Sequence, residues 1–190
     1  GPINYATAYS ISLSLLSCRH GIPAIPSWMP LPRDASGHLF VGDNTKQWIK
    51  PFSPRVAIGA LRELLQEWEK GIEILISAAK KDNKNRRLRQ ELNLAEHILL
   101  SIKSTINIIQ FYQAIHRFQR NKSAAKRKII IKQMREILKD ELEITKKDKD
   151  LVKFDKRLGY HPEAHTNLFT LEDLNYKISL LEKEIFNWRF

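Results

Sequence analysis

From Pro54 to Lys149 the apolar residues recur three or four positions apart, with Lys, Arg and Glu between them. That period draws one apolar stripe along an α-helix, and it is not the two-residue alternation of a half-buried strand. It constrains the fold more than any other feature, because nearly a hundred consecutive residues obey it. The expected fold class is all-α. Glycine usage agrees: the chain has only seven, and few stand where strand turns would need them.

The same pattern can be cut into helices. Ser53-Pro54 is a helix start, with Ser as cap and Pro in the first turn. A helix is expected over 54–80, with Val56, Ala60, Leu61, Leu64, Leu65, Trp68, Ile72 and Ile76 on its inner face. KKDNKN supplies the turn. A second helix is expected over 86–120, roughly 50 Å long at about 1.5 Å per residue. Its apolar face runs through Leu88, Leu92, Ala95, Ile98, Ile102, Ile106, Ile109, Tyr112 and His116. A third, over 123–149, turns Ala124, Ile130, Ile131, Met134, Ile137, Leu138 and Leu142 inward. Thr170 starts a shorter fourth over 171–187, with Asp173 at the capping-box position and Phe169 and Leu174 as the hydrophobic staple. Three long helices, a shorter C-terminal helix and short turns describe an up-and-down bundle.

Ahead of the bundle the pattern changes. Gly1-Pro2 reads as the remnant of a cleaved tag and is set aside. Residues 3–18 carry small and apolar side chains at helical spacing, which predicts an N-terminal helix, with a strand as the alternative that their β-branched and Ser content leaves open. Residues 21–53 are rich in proline, which fixes φ and disfavours helix at the preceding residue. They also carry Ile22, Ile25, Trp28, Met29, Phe40, Trp48 and Phe52, which predicts an ordered packing loop, with HLFVGD as a short strand. The organisation is then a tag remnant (1–2), an N-terminal helix and packing loop (3–53), and a helical bundle (54–190). The single cysteine, Cys18, excludes an intrachain disulfide and reads as a packed thiol. No apolar run reaches the ~18–20 residues that cross a bilayer.

A formal net charge of +11 favours polyanionic partners, nucleic acid or acidic polysaccharide. The two basic clusters, KKDNKNRRLR and KSAAKRK, lie near expected helix ends. No phosphate-binding glycine loop, HExxH or GxSxG is present, and no catalytic residue or cofactor is assigned. The stretch FDKRLGYHPEAHTNLFTLEDL, 154–174, interrupts the helical period and gathers the remaining candidates. His161 and His165 are four apart with Glu163 between them, but Pro162 opposes a regular helix and no third ligand is near, so no metal is assigned. Arg157 either closes the loop against Asp155 or recognises a substrate carboxylate. Trp28 and Trp48, in the proline-rich loop, are candidates for stacking on sugars or bases, whereas Trp68 faces the core. His97 and His116 read as packed or surface histidines.

This stretch, extended to FDKRLGYHPEAHTNLFTLEDLNYKISLLEK, resembles a recurrent ending of large bacterial polysaccharide-processing proteins. Those are glycoside-hydrolase-like chains with an α-helical domain after the catalytic part. Their pattern is an acidic residue, Arg-Leu-Gly-aromatic, Glu-Ala, and an aromatic before a terminal helix. Here the matching positions are Asp155, Arg157, Leu158, Gly159, Tyr160, Glu163, Ala164 and Phe169. Trp68, Gly71 and Leu75, and the pair Phe111-Tyr112, are similar more loosely. The resemblance covers about thirty residues and does not reach the first fifty. It implies a non-catalytic accessory domain packing on a sugar-handling domain of the same parent or another subunit, and a secreted or periplasmic location. The substrate-binding candidates are then Trp28, Trp48, Arg157, His161, Glu163 and His165. The alternatives are a basic helical nucleic-acid-binding module and a stand-alone enzyme.

The loop divides into anchors and tip. Gly159 suits a turn with positive φ, and Tyr160 can bury against the bundle. Gly159→Ala and Tyr160→Ala should therefore lower the melting temperature, while His161→Ala and Glu163→Ala leave it nearly unchanged. Equal destabilisation by all four in thermal melts would show that the tip is structural as well.

Overall fold

The computed structural model of the chain describes residues 52–158, 160–161, 166–167 and 170–187. The expected N-terminal helix, Cys18 and the proline-rich loop up to residue 51 lie outside the described residues. Among the described residues four helices follow in order: α1 Pro54–Lys81, α2 Arg86–Arg120, α3 Ala124–Phe154 and α4 Leu171–Asn187. The protein is an all-α bundle, as the periodicity requires.

The helix starts are local chemistry. A helix leaves its first N–H groups without intrahelical partners, and a short polar side chain just before it can accept from one of them. Ser53 Oγ accepts from Val56 N at 3.3 Å, Asn85 Oδ1 from Leu88 N at 3.1 Å, and Ser123 Oγ from Lys126 N at 3.5 Å. At α4 the capping box closes in both directions: Thr170 N donates to Asp173 Oδ2 at 2.8 Å, and Asp173 N to Thr170 Oγ1 at 3.3 Å. The staple partner Phe169 is outside the described residues. One boundary differs: α3 continues past the expected end at 149 to Phe154. The reason is tertiary. Val152, with Leu151 beside it, packs with Leu158 and Leu174, which rewards another turn through a charged segment.

The helices run antiparallel. His97 on α2 meets Asp148 on α3, Ser104 meets Glu141, and Asn107 meets Asp140, so one number rises as the other falls. Leu174 packs with Val152 while Leu181 packs with Met134 and Leu138, so α4 runs back along α3. On the other flank, Trp68 Nε1 donates to Ala95 O at 2.8 Å while Ile58 clusters with Ile106 and Ile109.

Packing links consecutive helices, α1 on α2, α2 on α3 and α3 on α4, and no other helix pair packs comparably among the described residues. This arrangement requires α2 to be apolar on two sides. Ile98, Ile102, Ile106 and Ile109 face Ile58, Leu61, Leu65 and Trp68 of α1. Ile108, Phe111 and Ala114 lie at the opposite angle of the wheel and join Ile130, Met134, Leu138 and Leu181. The sequence-based expectation identified the first face, assigned Tyr112 to it although Tyr112 packs in the second cluster, and missed Ile108, Phe111 and Ala114, because it sought one stripe per helix. A helix apolar all round is a buried helix. On α1, Val56 and Leu64 were expected inward but are 53% and 45% exposed, since Ile58, Leu61 and Leu65 occupy the contact with α2.

One ion pair lies inside the apolar layers. Glu141 on α3 has a fully buried carboxylate, 2.5 Å from Lys177 Nζ on α4, whose side chain is 4% exposed. From α2, Ser104 Oγ donates to Glu141 Oε1 at 2.6 Å and Asn107 Nδ2 to Oε2 at 3.1 Å. Stripping two charges of water is costly, and only such saturation of the carboxylate offsets it. Removing one partner leaves the other charge buried and bare. Glu141→Ala and Lys177→Ala should each lower unfolding free energy by about 3–5 kcal/mol. The double variant Glu141→Leu/Lys177→Met should lose less than either. Urea denaturation of the three variants measures this, and a double loss equal to the sum of the singles would show that the pair is not coupled.

Candidate functional site

The segment between α3 and α4 begins as a locked corner. The Asp155 N–H donates to Leu151 O at 2.8 Å, closing the end of α3, and Leu158 N donates to Asp155 O at 3.1 Å. The Asp155 side chain is 3% exposed. Arg157 wraps it: Nη2 donates to Oδ2 at 2.7 Å, Nε lies 3.0 and 3.1 Å from the two oxygens, and the Arg157 backbone N–H donates to Oδ1 at 3.1 Å. This planar fork on a carboxylate is geometry that arginine provides and lysine does not. Leu158, 4% exposed, then plugs the space between Val152 and Leu174. Of the two roles considered for Arg157, the geometry is that of the loop-closing pair.

Beyond the corner, β1 (Tyr160–His161) pairs antiparallel with β2 (Thr166–Asn167), with Tyr160 opposite Asn167 and His161 opposite Thr166. The sequence-based expectation was a plain loop. A pair of two-residue strands is too short to show as alternation, and only backbone hydrogen bonding reveals it. Of the substrate-binding candidates, Arg157 alone has a described side chain. His161 is placed by its backbone in β1, and Trp28, Trp48, Glu163 and His165 lie outside the described residues.

Elsewhere the titratable groups brace helices. His97 Nδ1 lies 2.5 Å from Asp148 Oδ1, both 14% exposed, and joins α2 to α3. Burial pushes the Glu96 carboxyl up. His116 is exposed and lines an open hollow of about 530 Å³ with Gln110, Gln113, Arg117 and Ile137. Among the described residues no three His, Cys, Asp or Glu side chains converge as a metal site needs, and no helix is long and apolar enough to cross a membrane.

Two features went unread in the sequence. Glu141 shares its helix face with Met134 and Leu138, and Lys177 lies between Leu174 and Leu181 in a series of buried positions. The signal was a charge at core spacing on each helix. The second is a concentration of cations at the α2–α3 turn. Arg117 and Arg120 end α2, Lys122 lies in the turn, Lys126, Arg127 and Lys128 open α3, and Lys132 and Arg135 come next. Only its KSAAKRK part stood out as a cluster.

No protein-family model, no curated protein and no solved structure matches this chain.

The Asp155 corner has a pH signature. Hydrogen bonds from the Arg157 side chain hold the Asp155 carboxyl below the 3.8 of an ordinary Asp, with the Arg157 backbone N–H adding to them against the opposing effect of burial. A depressed carboxyl contributes stability that is complete above its unfolded value and is lost as pH falls through its folded value. Asp155→Asn should therefore be less stable than the parent chain at neutral pH, and the difference should shrink as pH falls below about 3.8. A difference that stays constant from pH 6 down to about 2 in denaturant titrations would place its origin outside this ionisation.

Proposed function

We propose that the chain is a non-catalytic helical module of a larger carbohydrate-processing protein, and that it packs against a sugar-handling domain at the end of the bundle where α3 hands over to α4. The observation that carries this reading is how the resembling motif is used. Asp155 and Leu158 turn their side chains inward, and Arg157, itself 55% exposed, closes over the Asp155 carboxylate from the solvent side, so that fork and plug together fix the corner. That use needs no substrate. It serves to fix the corner that precedes the β1–β2 pair.

Two aromatic residues beside the corner support the same reading. Phe154, at the last position of α3, is 66% exposed, and Tyr176, in the first turns of α4, is 61% exposed. Aromatic side chains are enriched at protein interfaces, where they bury large area at low entropic cost. The polar groups inside the bundle point the same way. Glu141, Lys177, Ser104 and Asn107 bind one another across three helices, which is the chemistry of a rigid support.

The test needs the remainder of the open reading frame expressed separately. Mixed with this chain it should form a one-to-one complex by titration calorimetry. Phe154→Asp and Tyr176→Asp should each weaken that complex at least tenfold while leaving the melting temperature of the chain alone nearly unchanged, because both side chains are already in water. No association at tens of micromolar, or a complex indifferent to both substitutions, overturns the reading.

A further inference from the structure

The end of the bundle opposite the Asp155 corner has a different chemistry. From His97 to Arg135 the chain has no Asp or Glu, and between Arg117 and Arg135 it has eight Lys and Arg. The fold gathers them. α2 ends at Arg120 and α3 begins at Ala124, so two antiparallel helix ends lie side by side and share one short turn. At about 1.5 Å per residue, the cations from Lys122 to Lys132 span roughly 15 Å along the axis.

Six cations elsewhere in the bundle are paired with acids. Lys70 pairs with Glu67, Lys103 with Glu69, Lys139 with Glu136, Lys146 with Glu182, Arg157 with Asp155 and Lys177 with Glu141. None of the eight tip cations forms an ion pair within 4.0 Å among the described residues, although Lys132 and Arg135 lie near enough to Glu136 to help lower its carboxyl, and the seven from Arg117 to Lys132 are exposed. Two of them are held in place without being neutralised. Arg117 Nε donates to Gln113 O at 3.4 Å, and Arg127 Nε to Phe118 O at 3.4 Å, with its guanidinium 4.5 Å from the Phe118 ring centroid. Like charges crowded on one knob repel one another, and a multivalent anion relieves that repulsion.

We propose that the α2–α3 tip is a docking site for an acidic polysaccharide, whose carboxylate or sulfate groups bind the exposed Lys and Arg side chains. The shape argues for this polymer against the other polyanions. The major groove of duplex DNA is about 12 Å wide and admits one helix. Two packed helices, each roughly 10–12 Å across, are too broad for it and reach phosphates only. Single-stranded nucleic acid stacks its bases on open aromatic faces, and the tip aromatic, Phe118, has Arg127 over its ring. An anionic membrane takes an apolar face together with the charge, and the large apolar side chain exposed in this region is Ile129, at 60%. An extended chain carrying an anion on successive sugars needs no groove, no stacking platform and no apolar face. The choice of a glycan over other linear polyanions rests on the function proposed above, whereas the unneutralised tip does not.

The experiment uses the whole 190-residue chain. Heparin and polygalacturonate serve as sulfate- and carboxylate-bearing polymers, with binding followed by fluorescence anisotropy at two salt concentrations. The tip variant is Lys122→Glu/Lys128→Glu/Lys132→Glu, which spares the stacked Arg127. The control is Lys80→Glu/Lys81→Glu/Lys84→Glu, with the same charge change at the other end. The tip variant should weaken binding to at least one polymer tenfold or more and flatten the salt dependence by on the order of two to three contacts, whereas the control should lose less than threefold. Equal losses in both variants would reduce the effect to net charge and overturn the site. So would tighter tip-dependent binding of a duplex DNA or of anionic vesicles than of either glycan, or no binding to either at the lower salt. Phe154 and Tyr176 lie at the far end of the bundle, so the domain complex and the tip are scored independently. A complex that forms without tip binding refutes only the tip, and tip binding without a complex refutes only the packing role.

Discussion

Glu141 ties three of the four described helices together at one buried point. Its carboxylate has no exposed surface and takes hydrogen bonds from Ser104 and Asn107 on α2 and an ion pair from Lys177 on α4. Apolar contacts between helices tolerate sliding by a turn, since one Leu or Ile in a groove resembles another. A buried charge does not tolerate it, because a shift of one turn strands the carboxylate without donors at several kcal/mol. Three helices thus share one point of alignment, and the apolar layers on either side of it, around Leu138 and Leu181 and around Val152 and Leu174, depend on it.

That alignment decides what each end of the molecule carries. With α2, α3 and α4 antiparallel, the end of α3 and the start of α4 meet, and the Asp155–Arg157 fork fixes the corner between them. At the opposite end the last turns of α2 meet the first turns of α3, and cations separated by the turn in sequence become neighbours. α1 is packed on α2 alone among the described helices, so α2 is covered on two sides and buries an unusually long run, Ser104 to Ile109. Both ends carry basic residues, but they differ in what accompanies them: exposed aromatics and a small strand pair beside the Asp155 corner, and a stretch without Asp or Glu at the α2–α3 turn.

The candidate site was legible in part. Asp155 and Arg157 were readable as a pair because they stand two residues apart at a helix end, where a carboxylate and a guanidinium meet without help from the rest of the fold. The β1–β2 pair was not readable, because two residues per strand give no period. Lys177 was not readable as a core residue, since an isolated lysine on an amphipathic helix is usually solvated. It becomes buried only because Glu141, thirty-six residues earlier, occupies the facing position. The second apolar face of α2 was hidden for the same reason: an added stripe is recognisable as such only once there is a helix on each side to receive it.

The sequence by itself determined the class, the number of helices among the described residues, and nearly all of their ends. These are set by interactions within four residues along the chain: the period of 3.6, the caps at Ser53, Asn85, Ser123 and Thr170, and the polar turns between them. Tertiary structure alone decided which faces are covered, how far α3 runs, which charges are buried, and which cations stand together at the tip. Those outcomes depend on residues far apart in sequence coming within hydrogen-bonding or Coulombic range, and no local period records which partner a face will meet.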